Sequence, residues 1–253
     1  MDRLRRSLSR ILPRGWWDRI DLENASIRRH VEQTAHTVPA GARVLDAGAG
    51  QCRFRSLFNH ALYTGVDFGC GEGAWDYSSL DALARLEQLP FANATFDQVI
   101  CTQVLEHVAE PEYILRELNR VLKPGGRLLL TAPLGFGEHQ VPHDYFRYTR
   151  YGLAHLLEKA GFRVENLVPR GGYFRYMAVM MMWFYIYLFP ESRPIWLKIV
   201  LAPLQIVAAI LFIVLGAPMI QALDPLDRDQ HITLGFASEC INDTGEDPGN
   251  GST

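Results

Sequence analysis

The sequence predicts an α/β protein built on a doubly wound, mostly parallel sheet. Three observations carry that expectation. Short apolar runs alternate with helical stretches at the spacing of repeated βα units. The stretch Val44-Leu45-Asp46-Ala47-Gly48-Ala49-Gly50 runs a buried strand into a tight turn poor in Cβ atoms, which lets a ligand approach the backbone closely. A second strand ends in an acid, Asp67, about 20 residues after the first turn, where an open α/β sheet places a ribose-binding carboxylate.

Composition is consistent with this. The 253 residues are 48% hydrophobic and 21% charged, enough apolar material for a packed core. A net charge of −3 excludes a general nucleic-acid binder, and no nucleic-acid partner is expected. Charge is uneven, with Arg3, Arg5, Arg6, Arg10 and Arg14 near the start and Glu239, Asp243, Glu246 and Asp247 near the end. Cys52, Cys70, Cys101 and Cys240 form no CxxC pair, so they read as reduced cytosolic thiols and no metal site is expected. No secretory leader is expected, since no uninterrupted apolar core follows the first arginines.

In chain order, residues 3 to 36 read as helical. Leu4, Leu8, Ile11 and Leu12 oppose the arginines until Pro13-Arg14-Gly15 breaks the run. This basic amphipathic piece suits an anionic lipid surface, with Trp16 and Trp17 as interfacial anchors; a solvated helix packed on the domain is the plainer alternative. A helix over about Leu22 to Thr37 follows. Arg43 to Asp46 is the first strand, Gln51 to Asn59 a helix, and Leu62 to Val66 the second strand. Phe68 to Ser79 is a glycine-rich loop, and Leu80 to Leu86 holds a short third strand. Gln98 to Thr102 is the fourth strand. Pro111 to Leu122 is a helix, with proline near its start and Lys123-Pro124-Gly125-Gly126 as its stop. Arg127 to Ala132 is the fifth strand. Thr149 caps a helix over Arg150 to Ala160, closed by Gly161, and Phe162 to Val168 is the sixth strand.

The pattern then changes. Tyr176 to Phe189 and Ile199 to Leu223 carry no charge, and the second run exceeds the ~20 apolar residues that cross a bilayer. Pro203, Gly216 and Pro218 interrupt it. The strand pattern returns over His231 to Glu239, and Asn242 to Thr253 is a polar tail expected to be disordered. The domain expectation is therefore a helical segment over 1–38, a catalytic domain over 39–172 and 228–241, a membrane-associating insertion over 173–227, and a tail.

Five stretches in order carry a family resemblance. Val44 to Gly50, Tyr63-Thr64-Gly65-Val66-Asp67, Leu89-Pro90-Phe91 with Phe96-Asp97, Val104-Leu105-Glu106-His107, and Leu122 to Gly126 resemble the class I S-adenosylmethionine-dependent methyltransferases. The nearest branch includes the ubiquinone and menaquinone biosynthesis enzymes, over about residues 40 to 170. The resemblance implies a Rossmann-like seven-stranded sheet, with the seventh strand antiparallel between the fifth and sixth and the hydrophobic insertion between strands 6 and 7. It implies S-adenosyl-L-methionine as cofactor, with Asp46, Gly48, Ala49 and Gly50 at its amino-acid end and Asp67 on the ribose. Phe68, Leu86, Thr102 and Gln103 complete the expected cofactor set. A dinucleotide is disfavoured because the third glycine of GxGxxG falls on Arg53. One departure stands out: where related sequences carry an adenine-binding acid, this chain has Arg85. Either Asp81 or Glu87 substitutes, or backbone and stacking hold the adenine.

Methyl transfer from a sulfonium needs alignment and desolvation, and needs a base only for a protonated nucleophile. The richest candidate region is Gly137 to Tyr148, where His139 or His143 serves as general base, Asp144 orients a histidine, and Tyr145, Arg147 and Tyr148 contact an acidic or sugar-like substrate. Glu106 and His107 form a second group, read as structural at a helix start. The expected acceptor is small or lipid-linked, such as a quinone precursor or a polyprenyl-linked glycan, met on the cytoplasmic face of a membrane. Since strands 6 and 7 share one sheet, the insertion must enter and leave the membrane on one side. A methyltransferase-like scaffold without turnover is the competing expectation.

Overall fold

The computed structural model describes residues 21–71, 75–190 and 192–243. The arginine-rich start, Trp16 and Trp17, and nearly all of the polar tail lie outside them. Within the described residues the chain forms two compact units: one from residues 27–168 and 235–243, the other from residues 21–26 and 169–234.

The first unit is the sheet. Its strands are β1 (Arg43–Ala47), β2 (Leu62–Asp67), β3 (Ala82–Leu83), β4 (Phe96–Thr102), β5 (Leu122–Pro133), β6 (Phe162–Pro169) and β7 (Gly235–Asn242). They lie in the order β3-β2-β1-β4-β5-β7-β6. The pairs β1–β2, β1–β4, β2–β3 and β4–β5 are parallel, and β7 runs antiparallel to β5, from Arg127 opposite Ile241 to Pro133 opposite Gly235. The chain therefore reverses its winding between β1 and β4, the place where such sheets open a ligand crevice at the strands' carboxyl ends.

Helices cover both faces. On one side α1 (Leu22–Thr37) sets Ile27, Val31 and Ala35, with Val38 just after it, against Val44, Ile100 and Leu129. On the other, α2 (Pro111–Val121) and α3 (Arg150–Lys159) bury Ile114, Leu115, Leu118, Leu153 and Leu157 against Val99, Cys101, Leu128 and Leu130. The 3.6-residue apolar period of α2 and the alternation of β5 explain these faces. Thr149 caps α3 by accepting from the Gly152 N–H at 3.1 Å.

One expected element is absent. Gln51 to Asn59 is a run of turns with a 3₁₀ turn at Arg55–Phe58, and no α-helix. Gly50 and Cys52 both take left-handed φ, +53° each, which prevents a helix from starting at the glycine turn. Arg55 is then held sideways by Ser79 O at 2.8 Å and Asp81 at 2.6 Å. Glu106 and His107 likewise lie in a 3₁₀ turn, Leu105–His107, and the following helix starts only at Pro111.

The second unit is helical. It contains α4 (Tyr173–Leu188), α5 (Ile195–Ala209), a π-helical turn at Ile210–Gly216 and α6 (Ala217–Gln221). Pro203 lies inside α5, where it removes one backbone N–H from the helix ladder. Ile195–Leu226 is a continuous helical run long and apolar enough to cross a membrane, and only 6% of its most apolar window is buried. Trp196, Ile199, Val200, Leu204 and Ile206 are exposed along it. The two ends of this unit are fastened together. Asp224 accepts from the Gly172 N–H at 3.1 Å and the Arg175 N–H at 2.9 Å, and Asp227 from the Tyr173 N–H at 2.6 Å. Two carboxylates thus satisfy the orphan donors at the positive end of α4. Nearby, the fully buried Arg170 guanidinium is paired with Glu23 at 3.0 Å and Ser26 at 3.1 Å.

Candidate active site

The site is built at the carboxyl ends of β1, β2, β4 and β5. Asp46, next to the last residue of β1, is 1% exposed. The Tyr63 hydroxyl, on the neighbouring strand, donates to Asp46 Oδ2 at 2.5 Å. Burial pushes the Asp46 carboxyl up to about 6, against the opposing effect of the Tyr63 hydrogen bond. Burial also raises the Tyr63 hydroxyl, with the Asp46 charge second.

The turn itself is held by backbone. The Gly48 and Ala49 N–H groups both donate to Val66 O at 2.9 Å. Gly48 has φ +78°, and an added Cβ there would overlap the Val104 methyls. Gly50 has φ +53°, and its Cα faces the Trp75 ring, 3.0 Å from the place a Cβ would occupy. Asp67 closes the turn from β2: Oδ2 accepts from the Gly50 N–H at 2.9 Å and Oδ1 from the Gly69 N–H at 2.8 Å. Asp46, the turn and Asp67 are therefore one connected structure.

Beside it, Phe68 is 53% exposed and the Arg85 guanidinium lies over its ring, 4.9 Å from the centroid. Leu86 is buried in the core. The two acids considered as replacements for the missing adenine acid already have protein partners. Asp81 holds the Gly65 N–H at 2.7 Å as well as Arg55, and Glu87 holds Arg85 at 3.3 Å. Thr102 is buried, and Gln103 takes φ +54° with both its N–H and its side-chain amide donating to Thr131 at 3.0 Å.

In the loop after β5, Asp144 lies beside His139. It accepts from Arg147 at 2.7 Å through both oxygens and from the His139 N–H at 2.9 Å, and lies 3.5 Å from His139 Nδ1. The Arg147 guanidinium holds the Asp144 carboxyl far below the usual carboxylate range. His143 is exposed, its Nδ1 3.4 Å from the Tyr145 hydroxyl. His139 instead meets His107 edge to face, with ring centroids 4.6 Å apart, beside the fully buried Glu106. Burial lowers the His107 imidazole. Sequence reasoning treated Glu106–His107 and His139 as separate groups. That Tyr63, Trp75 and Val104 meet the glycine turn is likewise not written in the sequence, because each reaches it across the fold rather than along the chain.

With this geometry in view, residues 45–130 match the family described as a methyltransferase domain. That match covers about a third of the chain. The family uses S-adenosylmethionine as methyl donor. Among relatives, the chain is 39% identical over 95 residues to the ubiquinone/menaquinone biosynthesis C-methyltransferase UbiE of Klebsiella pneumoniae, covering 38% of this chain and 35% of that protein. It is 33% identical over 107 residues to a ubiquinone biosynthesis O-methyltransferase of Pseudomonas aeruginosa, covering 37% and 45%. The matches thus span about a third to under a half of these relatives. The chain also has the fold of the [4+2]-cyclase SpnF, with a TM-score of 0.52 at 22% identity, over 84% of this chain and 79% of that one. That likeness speaks to fold alone.

Proposed function

We propose that this chain is an S-adenosylmethionine-dependent methyltransferase that works at a membrane surface on a small or lipid-linked acceptor. The observation that carries the reading is the single structure formed by Asp46, the turn through Gly50, and Asp67 at the switch point of the sheet. In this reading Asp46 faces the cofactor's ammonium, Asp67 takes the ribose hydroxyls, and Phe68 with Arg85 flanks the adenine. His143 stands at the open edge as the base for a protonated acceptor. The relatives' names make a quinone precursor one acceptor class. The long exposed apolar insertion makes a polyprenyl-linked one another. The fastening of Asp224 and Asp227 to the start of α4 supports a hairpin that enters and leaves the membrane on one face, the cytoplasmic one.

Methyl-labelled cofactor tests this directly. Wild-type protein with membrane extract should place label in the lipid phase and sediment or float with vesicles, and Asp67→Ala should place none. Label only in the aqueous phase, from protein that stays free of vesicles, would reject the membrane reading while keeping the methyltransferase.

Asp46 gives the site a pH signature. Because its carboxyl titrates at about 6 in the free protein, the neutral form prevails below that value and cannot pair with an ammonium. S-adenosylhomocysteine affinity should be flat above pH 7 and fall toward tenfold per pH unit below about 6, with proton release on binding in that range. The stability effect has the opposite sign. A raised carboxyl stabilises the free fold at low pH, and that contribution is lost as pH rises through about 6. Calorimetric titrations in two buffers of different ionisation enthalpy measure the released proton. A pH-independent affinity between 5 and 8 would remove Asp46 from the ammonium site.

A further inference from the structure

We propose that Glu106, His107 and His139 form a binding site for a first-row divalent cation at the acceptor edge of the sheet. The ligand atoms these three residues offer all lie within 4.8 Å of one another. Two imidazoles and one carboxylate are the donor set of catalytic zinc sites and of facial-triad iron sites, which leave positions open for an exogenous ligand.

The protonation of both rings supports coordination. His107 Nδ1 lies 2.7 Å from the carbonyl oxygen of His143. His139 Nδ1 lies 3.1 Å from the carbonyl oxygen of Gly137. A carbonyl can only accept, so Nδ1 carries the proton in both rings and Nε2 presents its lone pair. This is the arrangement in which an outer backbone carbonyl orients a metal-binding histidine. His107 Nε2 is buried, has no hydrogen-bond partner among the described residues, and points toward a Glu106 carboxylate oxygen at 3.8 Å. A lone pair facing a carboxylate is repulsive unless a proton or a cation lies between them. The rings meet edge to face, which lets both nitrogens converge.

The fold places the three residues where an acceptor would sit. Glu106 and His107 follow β4 by a few residues, and Val104, just before them, packs on Gly48 of the cofactor turn. His139 comes from the loop after β5. The chemistry then specifies the acceptor, resting on the methyltransferase reading above: a hydroxyl, as in a phenol or vicinal diol. Coordination lowers the hydroxyl's pKa and its proton passes to His143 and from there to solvent. The oxygen attacks the cofactor's methyl carbon, the carbon–sulfur bond breaks with its electron pair on sulfur, and the products are a methyl ether, S-adenosylhomocysteine and one proton.

Titration of the full-length, chelator-stripped protein with Co2+ tests the site. One equivalent should bind, with a visible absorption band that Zn2+ displaces. His139→Ala and His107→Gln should lose the band and weaken Co2+ binding at least tenfold. His139→Ala, whose side chain is partly exposed, should keep its S-adenosylhomocysteine affinity, which shows that it is folded. Wild type that takes up no Co2+ or Zn2+ while binding S-adenosylhomocysteine would overturn the cation site and leave the methyltransferase standing. So would variants that bind Co2+ as tightly as wild type. Failure to bind S-adenosylhomocysteine would instead remove the methyltransferase reading.

Discussion

Asp67→Ala is expected to lower S-adenosylhomocysteine affinity by about 100-fold or more. Two losses combine. The ribose would lose hydrogen bonds to a charged acceptor, each worth roughly 1.5–3 kcal/mol. The turn would also lose its closure, since Asp67 holds the Gly50 N–H at 2.9 Å and the Gly69 N–H at 2.8 Å. Asp67→Asn separates the two effects. The amide keeps one acceptor for the turn but presents a donor where the second N–H or hydroxyl needs an acceptor, so it should fall between wild type and alanine. Isothermal titration reads all three proteins. An alanine variant within a factor of three of wild type would show that the ribose is held elsewhere.

Gly48→Ala should be the most damaging small substitution in the sheet unit. The residue sits at φ +78°, where an L side chain costs ~1–2 kcal/mol. Its new methyl would also overlap the Val104 side chain, and forcing apart a packed contact of this kind costs a further ~1–3 kcal/mol. For a chain of this length such a sum lowers Tm by roughly 5–15 °C. Adding Val104→Ala should relieve the overlap and recover part of the loss, leaving the backbone strain. Thermal unfolding of the single and double variants measures the split. If Gly48→Ala unfolds at the wild-type temperature, the turn has another conformation available and the site geometry is wrong.

The glycine turn and Asp67 are legible in local sequence, but the contacts both predictions use are not. Strand positions came from runs such as Val99-Ile100-Cys101 and Leu128-Leu129-Leu130, whose side chains are buried on both faces of the sheet. The position of β7 beside β5 came from the resemblance and agrees with the observed order. The helix expected over Gln51 to Asn59 failed for a reason sequence hides. Cys52 takes φ +53°, and a cysteine, unlike glycine, asparagine or aspartate, does not announce a left-handed turn. Which histidine Asp144 meets stays open in the sequence, and its partner Arg147 offers it two parallel hydrogen bonds from a planar guanidinium.

The sequence by itself determined the layered α/β fold, the glycine turn with its two acids, and the long apolar run after β6, because each depends on the period, backbone freedom or polarity of neighbouring residues. Only the tertiary structure decided that Tyr63 donates to Asp46, that Trp75 and Val104 face the two glycines, and that Glu106, His107 and His139 converge. Those meetings depend on register between strands and on the path of the loop after β5. There, carbonyls far apart in the chain select which nitrogen of each histidine is left to bind.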